Sequence, residues 1–403
     1  MLGVVTELLV TLGGAGVGVV VTLFVAIALH ELGHTLVARL VGFRVLEIAI
    51  GGGAPIIAFW CGPVLITLGK RFHHGWVAVS YRPSSWFRTR AIAVFLAGPL
   101  VFVALAVLLG MLHYSGEVGW PWRGVCLGSF YAAAFLAIGG VLPDRLWSAS
   151  QSRGDVSHAI AMLRTDASDV AEVVELSRLS LLETELDRLT LTGRLEPAKE
   201  MVDQLIASEQ WPFPWWHKRS LISLALGDEG QAMSDLKCAE TGLNEWWEDQ
   251  STDGDAAGSA LANSQQLQSL YLRINRAFFL VLTGDASNVS EAEELLATSK
   301  VPRNSSESVR CALQRTRALV LLFQGFPRKA QRMLLDVRSC QEPYWLRALT
   351  LGYLSHAYRL LGDGRQARRW RRKATFLHPQ SSLLYVVDRA LTARVPAPTG
   401  VAS

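Results

Sequence analysis

Hydrophobic and polar positions follow three regimes along this chain. From Met1 to Ala38 nearly every side chain is apolar, and the ionisable ones are Glu7, His30, Glu31 and His34. A spanning helix needs about 20 apolar residues, and the run Val4–Ala38 exceeds that. It reads as one long tilted helix, or as a short segment broken near Gly13-Gly14-Ala15-Gly16 ahead of a second; one span over about 14–41 is favoured. From Gly42 to Tyr81 the pattern changes to β-branched, partly alternating stretches. Arg44–Ile50 and Trp76–Tyr81 read as short strands, with Gly51-Gly52-Gly53 and His73-His74-Gly75 as turn material. A sheet there has an edge able to accept an extended peptide, or merely covers helix ends. His73 and His74 read as loop histidines rather than ligands. Apolar runs return at about 91–112, around Ala97-Gly98-Pro99, and at about 124–142, which holds Gly128, Gly139 and Gly140 and ends at Leu142-Pro143. These glycines are small enough to let helices approach closely. From about residue 166 onwards the pattern becomes amphipathic, helical and charged.

That division outweighs the bulk composition. Half of the 403 residues are hydrophobic and 18% are charged, with a net charge of +4, which does not suggest a nucleic-acid partner. The N-terminal run lacks a basic leader and a small-residue cleavage site, so it reads as a retained membrane helix. The five cysteines, at 61, 126, 238, 311 and 340, form no CxxC pair. A disulfide framework is not expected, and a reducing compartment fits. Between the first two spans lie Arg44, Lys70, Arg71, Arg82, Arg88 and Arg90 against Glu47. The loop near 113–123 has Arg123 and Glu117. By the positive-inside rule the strand region is cytoplasmic, as is everything after about residue 145.

Chemistry concentrates in His30-Glu31-Leu32-Gly33-His34. Imidazoles four residues apart share one helix face and can reach one ion, with Glu31 beside them as a general base. Polar side chains at bilayer depth read as functional by default. The bland alternative is a buried histidine pair with a chance glutamate between. Zinc sites of catalytic type take three protein ligands. Asp155, in Arg153-Gly154-Asp155-Val156-Ser157-His158, is a candidate third ligand, with Asp144 and His158 as competitors. Asp155 reads equally well as a helix N-cap.

HELGH in the first span, then Gly42-Phe43-Arg44-Val45, Gly51–Gly53 and Ala97-Gly98-Pro99 in that order, resemble the site-2 protease family of intramembrane zinc metallopeptidases over about residues 14–165. The resemblance implies that His30, His34 and Asp155 are ligands of Zn2+, that Glu31 is the catalytic glutamate, and that Pro143 is the motif proline. Two departures stand out: Gly140 occupies the place of the family's asparagine, and Val156 that of its glycine. The implied activity is zinc-assisted hydrolysis of peptide bonds in or near transmembrane segments of a protein substrate. An inactive membrane scaffold of the same family is the alternative, and a transporter-like protein fits less well. The expected location is the bacterial inner (cell) membrane, multi-pass, in contact with membrane lipid.

In the later part, Gly193, Gly227, Gly325 and Gly362 are each followed five residues on by alanine, and a looser copy begins at Gly284. The first two glycines are 34 residues apart, the tetratricopeptide period. This resembles a degenerate tetratricopeptide array over 166–385, with an ordinary helical bundle as the alternative. Asp249–Gly258 reads as a polar loop, Trp211, Trp215, Trp216, Trp246 and Trp247 as packing residues, and 386–403 as a flexible tail. Helical arrays present protein-binding surfaces, so a cytoplasmic protein partner is expected there. The expected fold is therefore mainly α: a polytopic membrane core (1–165) with a small membrane-associated β-sheet (43–82), then an α-helical repeat domain.

Overall fold

Helix α1 (Leu2–Leu40) runs through the whole first apolar stretch and ends where the sequence supplies a stop. Gly42 adopts φ +85°, and the Phe43 amide bonds back to the Ala38 carbonyl at 2.8 Å. A left-handed glycine with this backward bond is a standard helix terminator. This is a computed structural model, and it describes residues 2–82, 86–115, 119, 122–141, 155–164, 166–208, 213–251, 258–283, 286–301, 307–338, 340 and 342–394. The chain divides into two compact units, Met1–Gly52 with Ile56–Thr184, and Gly53–Pro55 with Glu185–Ser403.

In the first unit, α1 is followed by strands β1 (Arg44–Cys61) and β2 (Val64–Ser80), then α2 (Phe87–Tyr114), α3 (Trp122–Val141), α4 (Asp155–Arg164) and the start of α5 (Ala167–Leu191). The sheet is one two-stranded hairpin of long strands, not several short ones. Its turn lies at Gly62-Pro63, while Gly51–Gly53 and His73-His74-Gly75, expected as turns, lie within the strands. Gly51 and Gly53 adopt φ +82° and +75° inside β1, and a Cβ on Gly69 would sit 2.5 Å from the Gly51 carbonyl oxygen. Glycine there is used for close strand contact and bending rather than for reversal. Phe43, Val45, Ile48, Val64, Phe87, Ala91, Val94 and Met162 form the buried cluster joining helix ends to hairpin.

Among the described residues two helices are long and apolar enough to cross a membrane, Leu9–Leu40 and Phe87–Tyr114. Their outward residues are large and apolar: Leu100 is 61% exposed and Met111 67%. The third expected span, about 124–142, falls on α3; its apolar stretch among the described residues is Trp122–Ile138, shorter than those two, and residues 142–150 lie outside the described part. α3 nevertheless packs tightly on α1. Cβ atoms on Gly124, Gly128 and Gly18 would meet the carbonyl oxygens of Thr11, Ala15 and Val125 at 2.4, 2.0 and 2.2 Å. The Ser129 hydroxyl donates to the Gly18 carbonyl at 3.2 Å. These pairs make the two helices parallel. Carrying that register along brings the end of α3 level with His30.

The second unit is built from helices α6 (Leu195–Ser208), α7 (Phe213–Leu226), α8 (Glu229–Ser251), α9 (Gly258–Thr283), α10 (Ala286–Thr298), α11 (Glu307–Phe323), α12 (Pro327–Val337), α13 (Tyr344–Leu360), α14 (Gly364–Leu377) and α15 (Ser382–Arg394). Four connections share one geometry. Gly193, Gly227, Gly325 and Gly362 have φ between +75° and +88°. In each case the next residue's amide bonds five residues back, from Arg194 to Leu189, Asp228 to Ser223, Phe326 to Leu321 and Asp363 to Tyr358. Ala198, Ala232, Ala330 and Ala367, five residues after each glycine, are all buried. Asp228 and Asp363 cap the following helices by accepting from the Gln231 and Gln366 amides.

Two sequence expectations fail in this unit. Cys311 and Cys340, read as unpaired, form a disulfide, whereas Cys61, Cys126 and Cys238 are free. Their 29-residue separation hid a pairing that only the α11–α12 turn creates. The stretch read as tail from residue 386 contains most of α15, which buries Val386, Val387 and Leu391 against α7, α9, α11 and α13. Gly284, residues 252–257 of the polar loop, and 395–403 lie outside the described residues.

Candidate metal centre

His30 and His34 sit one turn apart on α1, with Glu31 and Gly33 between them. Each packing surface around them has an identifiable cause. Gly33 faces α2, where a Cβ would meet the Val101 side chain at 2.7 Å and the Ala97 carbonyl oxygen at 3.0 Å. Gly98 of α2 lies directly against both imidazoles, since a Cβ there would fall 2.4 Å from His34 Nε2 and 2.6 Å from His30 Nε2. The glycines of the two helices therefore let α2 close over the histidine pair without filling its centre. The His30 ring stacks on Phe102 with centroids 4.6 Å apart.

His34 Nδ1 lies 2.6 Å from the Val94 carbonyl oxygen. A carbonyl only accepts, so Nδ1 carries the proton and a neutral His34 presents a lone pair at Nε2. That Nε2 faces His30 Nε2 at 3.1 Å and Asp155 Oδ2 at 3.2 Å, while His30 Nε2 lies 2.9 Å from the same oxygen. Asp155 is the first residue of α4, and its carboxylate turns onto the two imidazoles. Burial works against the charge on Asp155. The two imidazoles beside it outweigh that cost, holding the carboxyl well below the usual carboxylate range.

Two acceptor atoms, His34 Nε2 and the Asp155 oxygen, face each other across a gap that suits a shared cation. The spacing can be tested against zinc. Four tetrahedral ligands at zinc–nitrogen lengths of about 2.0–2.1 Å lie roughly 3.3 Å apart, and the three atoms here are separated by 2.9 to 3.2 Å. The donor set of two imidazoles and one anionic carboxylate also suits that ion. The three residues form a group of the kind that could hold a metal. A backbone carbonyl that accepts from the far nitrogen of a ligand histidine, as at Val94, is the usual companion of such a site.

Glu31 is 3% exposed and lies against the hairpin. A Cβ on Gly75 of β2 would lie 2.6 Å from Glu31 Oε1. The hairpin backbone thus forms one wall beside the glutamate. Glu47 of β1 is half-buried. Burial raises its carboxyl above the usual range, opposed by hydrogen bonds from Thr67 and Trp76.

The structure brings His30, His34 and Asp155 together. It does not bring His158 with them, since that ring stacks on Phe95 at 5.3 Å. Asp144 and Pro143 lie outside the described residues, and so do the side chains of His73 and His74. Val94, Phe102 and Gly75 were not singled out from sequence. A backbone acceptor and a strand that approaches from far along the chain leave no local signal.

Comparison with known proteins gives the following. The profile described as Peptidase family M50 matches residues 18–338. A curated relative from Neisseria meningitidis (serogroup A / serotype 4A), described as "Putative zinc metalloprotease", is 31% identical over 106 residues. That match covers 23% of this chain and 24% of the relative, so the chain spans about a quarter of the length of that protein. No solved structure matches.

Proposed function

The chain belongs to peptidase family M50, and from that premise we propose that it is a zinc-dependent endopeptidase cleaving peptide bonds in or near transmembrane segments of membrane proteins. The observation that carries this reading is the convergence of His30 Nε2, His34 Nε2 and Asp155 Oδ2 within 3.2 Å beside a buried glutamate. His30, His34 and Asp155 would hold the zinc, which when bound polarises a scissile carbonyl and makes water a usable nucleophile near neutral pH.

The chain's own residues do the rest. The Glu31 carboxylate accepts the proton of the attacking water and returns it to the leaving amine. Its burial beside the Gly75 backbone limits bulk water, so the proton stays within the site. The Val94 carbonyl fixes the ring of His34, and the space left by Gly98 keeps both imidazoles convergent. Peptide carbonyls within a substrate helix are hydrogen-bonded and hidden, so the substrate must unwind before attack. A two-stranded sheet has open edges, and β1 and β2 offer such an edge for an unwound segment to join as a strand.

The four repeated glycine turns and buried alanines support reading 166–385 as a tetratricopeptide-like array that recruits a substrate tail or a regulator. The basic residues between α1 and α2 favour a cytoplasmic face for this part, in a bacterial inner membrane. The Cys311–Cys340 bond favours an oxidising side, so the thiol state of these residues in cells decides the orientation.

The test is a comparison of membrane proteins in cells carrying the native chain or Glu31→Gln. Removing a general base lowers rates by roughly 10²–10⁴. At least one membrane protein should therefore accumulate uncleaved in the variant. Identical cleavage patterns would favour the scaffold alternative, in which the repeats do the work.

A further inference from the structure

Helices α12 to α14 carry a concentration of positive charge that hydrolysis does not use. Residues 327–377 contain twelve Lys and Arg against three Asp and Glu, a net of +9 in a chain whose total is +4. On α14 the residues Ala367, Trp370, Ala374 and Leu377 face inward. Arg365, Arg368, Arg369, Arg372 and Lys373 occupy the exposed side. Arg371 is set apart, being paired with Asp388 of α15.

The end of α12 extends this face. Arg338, Arg369 and Lys373 all lie over the Trp370 ring, at 5.8, 5.9 and 4.8 Å from its centroid. Like charges held this close repel. Lys373 sits below the usual lysine range through partial burial and the charges of Arg369, Arg347 and Arg338. Phe376, 65% exposed, adds an aromatic ring at the end of the same helix. A polyanionic surface would offset that repulsion.

We propose that this face of α12 and α14 binds an anionic phospholipid surface. The chain already carries two helices able to cross a membrane, so the second unit is tethered to a bilayer at high effective concentration. Clusters of four to eight basic residues on a helix bind anionic headgroups, each residue adding to the attraction. An exposed aromatic at the edge of the cluster suits the headgroup layer. The proposal rests on the membrane-embedded reading and not on proteolysis, so a Glu31→Gln chain serves equally well for its test.

The experiment uses the full chain in nanodiscs of phosphatidylcholine, with or without about a third phosphatidylglycerol. Acylation of Lys373 is followed by mass spectrometry, with Lys237 of α8 as the internal reference. The expected result is acylation of Lys373 at least ~5-fold slower in the anionic discs, recovering in ~0.5 M salt, with Lys237 unchanged. The triple variant R365E/R368E/R372E, which keeps Lys373, should abolish the difference. The salt arm tests the native chain without any substitution. Equal rates in the two lipids would overturn the proposal. So would protection in phosphatidylcholine discs by inorganic phosphate alone, or by an oligonucleotide, when phosphatidylglycerol gives none.

Discussion

The two units use the same element under opposite solvents. In the second, α12 and α14 turn alanine, leucine and tryptophan inward and arginine outward. In the first, α1 and α2 present leucine, valine and methionine outward, and polar groups inward: Glu31 and His34 are buried while Leu36 and Leu100 are 61% exposed. Water accounts for the first pattern, and the second is the one a hydrocarbon solvent would give. Buried charge differs too. In the second unit it is paired donor to acceptor, as in Arg315 with Glu342 at 2.7 Å and Arg219 with the fully buried Asp235 at 2.7 Å. In the first, lone pairs of His34 and Asp155 converge. Paired charge fixes a fold, whereas converging acceptors call for a cation from outside the chain.

This contrast can be broken most severely at Gly98. A Gly98→Val side chain would occupy the space of both imidazole Nε2 atoms. Metal retention and peptidase activity should fall by ~10²-fold or more, while an equal substitution at Gly119, which meets nothing within 4 Å, should leave both intact. Metal analysis of the two purified variants checks this.

Reducing the Cys311–Cys340 bond should come next. Its 29-residue separation corresponds to ~3.5 kcal/mol of loop-closure stabilisation. Calorimetry with and without reductant should show a loss confined to the transition of the second unit.

Leu100→Arg, on an outward position of α2, should cost ~3 kcal/mol in membrane insertion. Tyr385→Arg, equally outward on α15 at 67% exposed, should change stability by less than ~0.5 kcal/mol. If the two variants behaved alike in an insertion assay and in thermal unfolding, the assignment of two solvents would fail.

A smaller effect is expected at His378. Burial pushes its pKa from 6.5 down to about 4, opposed by a backbone hydrogen bond. The unfolded chain therefore binds the extra proton first. Stability is intact above about pH 6.5 and is lost as pH falls toward 4, by ~2 kcal/mol between pH 7 and pH 5. His378→Gln should flatten that slope in pH-dependent unfolding of the second unit.

How much of this was legible in the sequence depends on the range of each interaction. HELGH is local, and its helical spacing alone placed two imidazoles on one face. Asp155 was one of three open choices. Proximity to His30 across 125 residues depends on the parallel packing of α3, and no spacing rule encodes that. Gly98 was visible as part of Ala97-Gly98-Pro99 in the second apolar run, but the room it leaves for both histidines was not. The hairpin was misdivided because Gly51–Gly53 and His73-His74-Gly75 look like turns in isolation, yet here serve close strand contact and one wall beside Glu31. The glycine turns of the second unit were visible as a recurring glycine–alanine spacing, since terminator chemistry spans only six residues. α15 was missed because Val386, Val387 and Leu391 have no partner within their own segment.

The central claim is that three side chains of the first unit together hold one metal ion. The most direct measurement is zinc content of the purified full chain in native form and as Glu31→Gln and Asp155→Ala. About one zinc per chain should remain in the first two, and Asp155→Ala should lose most of it. No bound divalent cation in the native chain, or full retention in Asp155→Ala, would contradict the account.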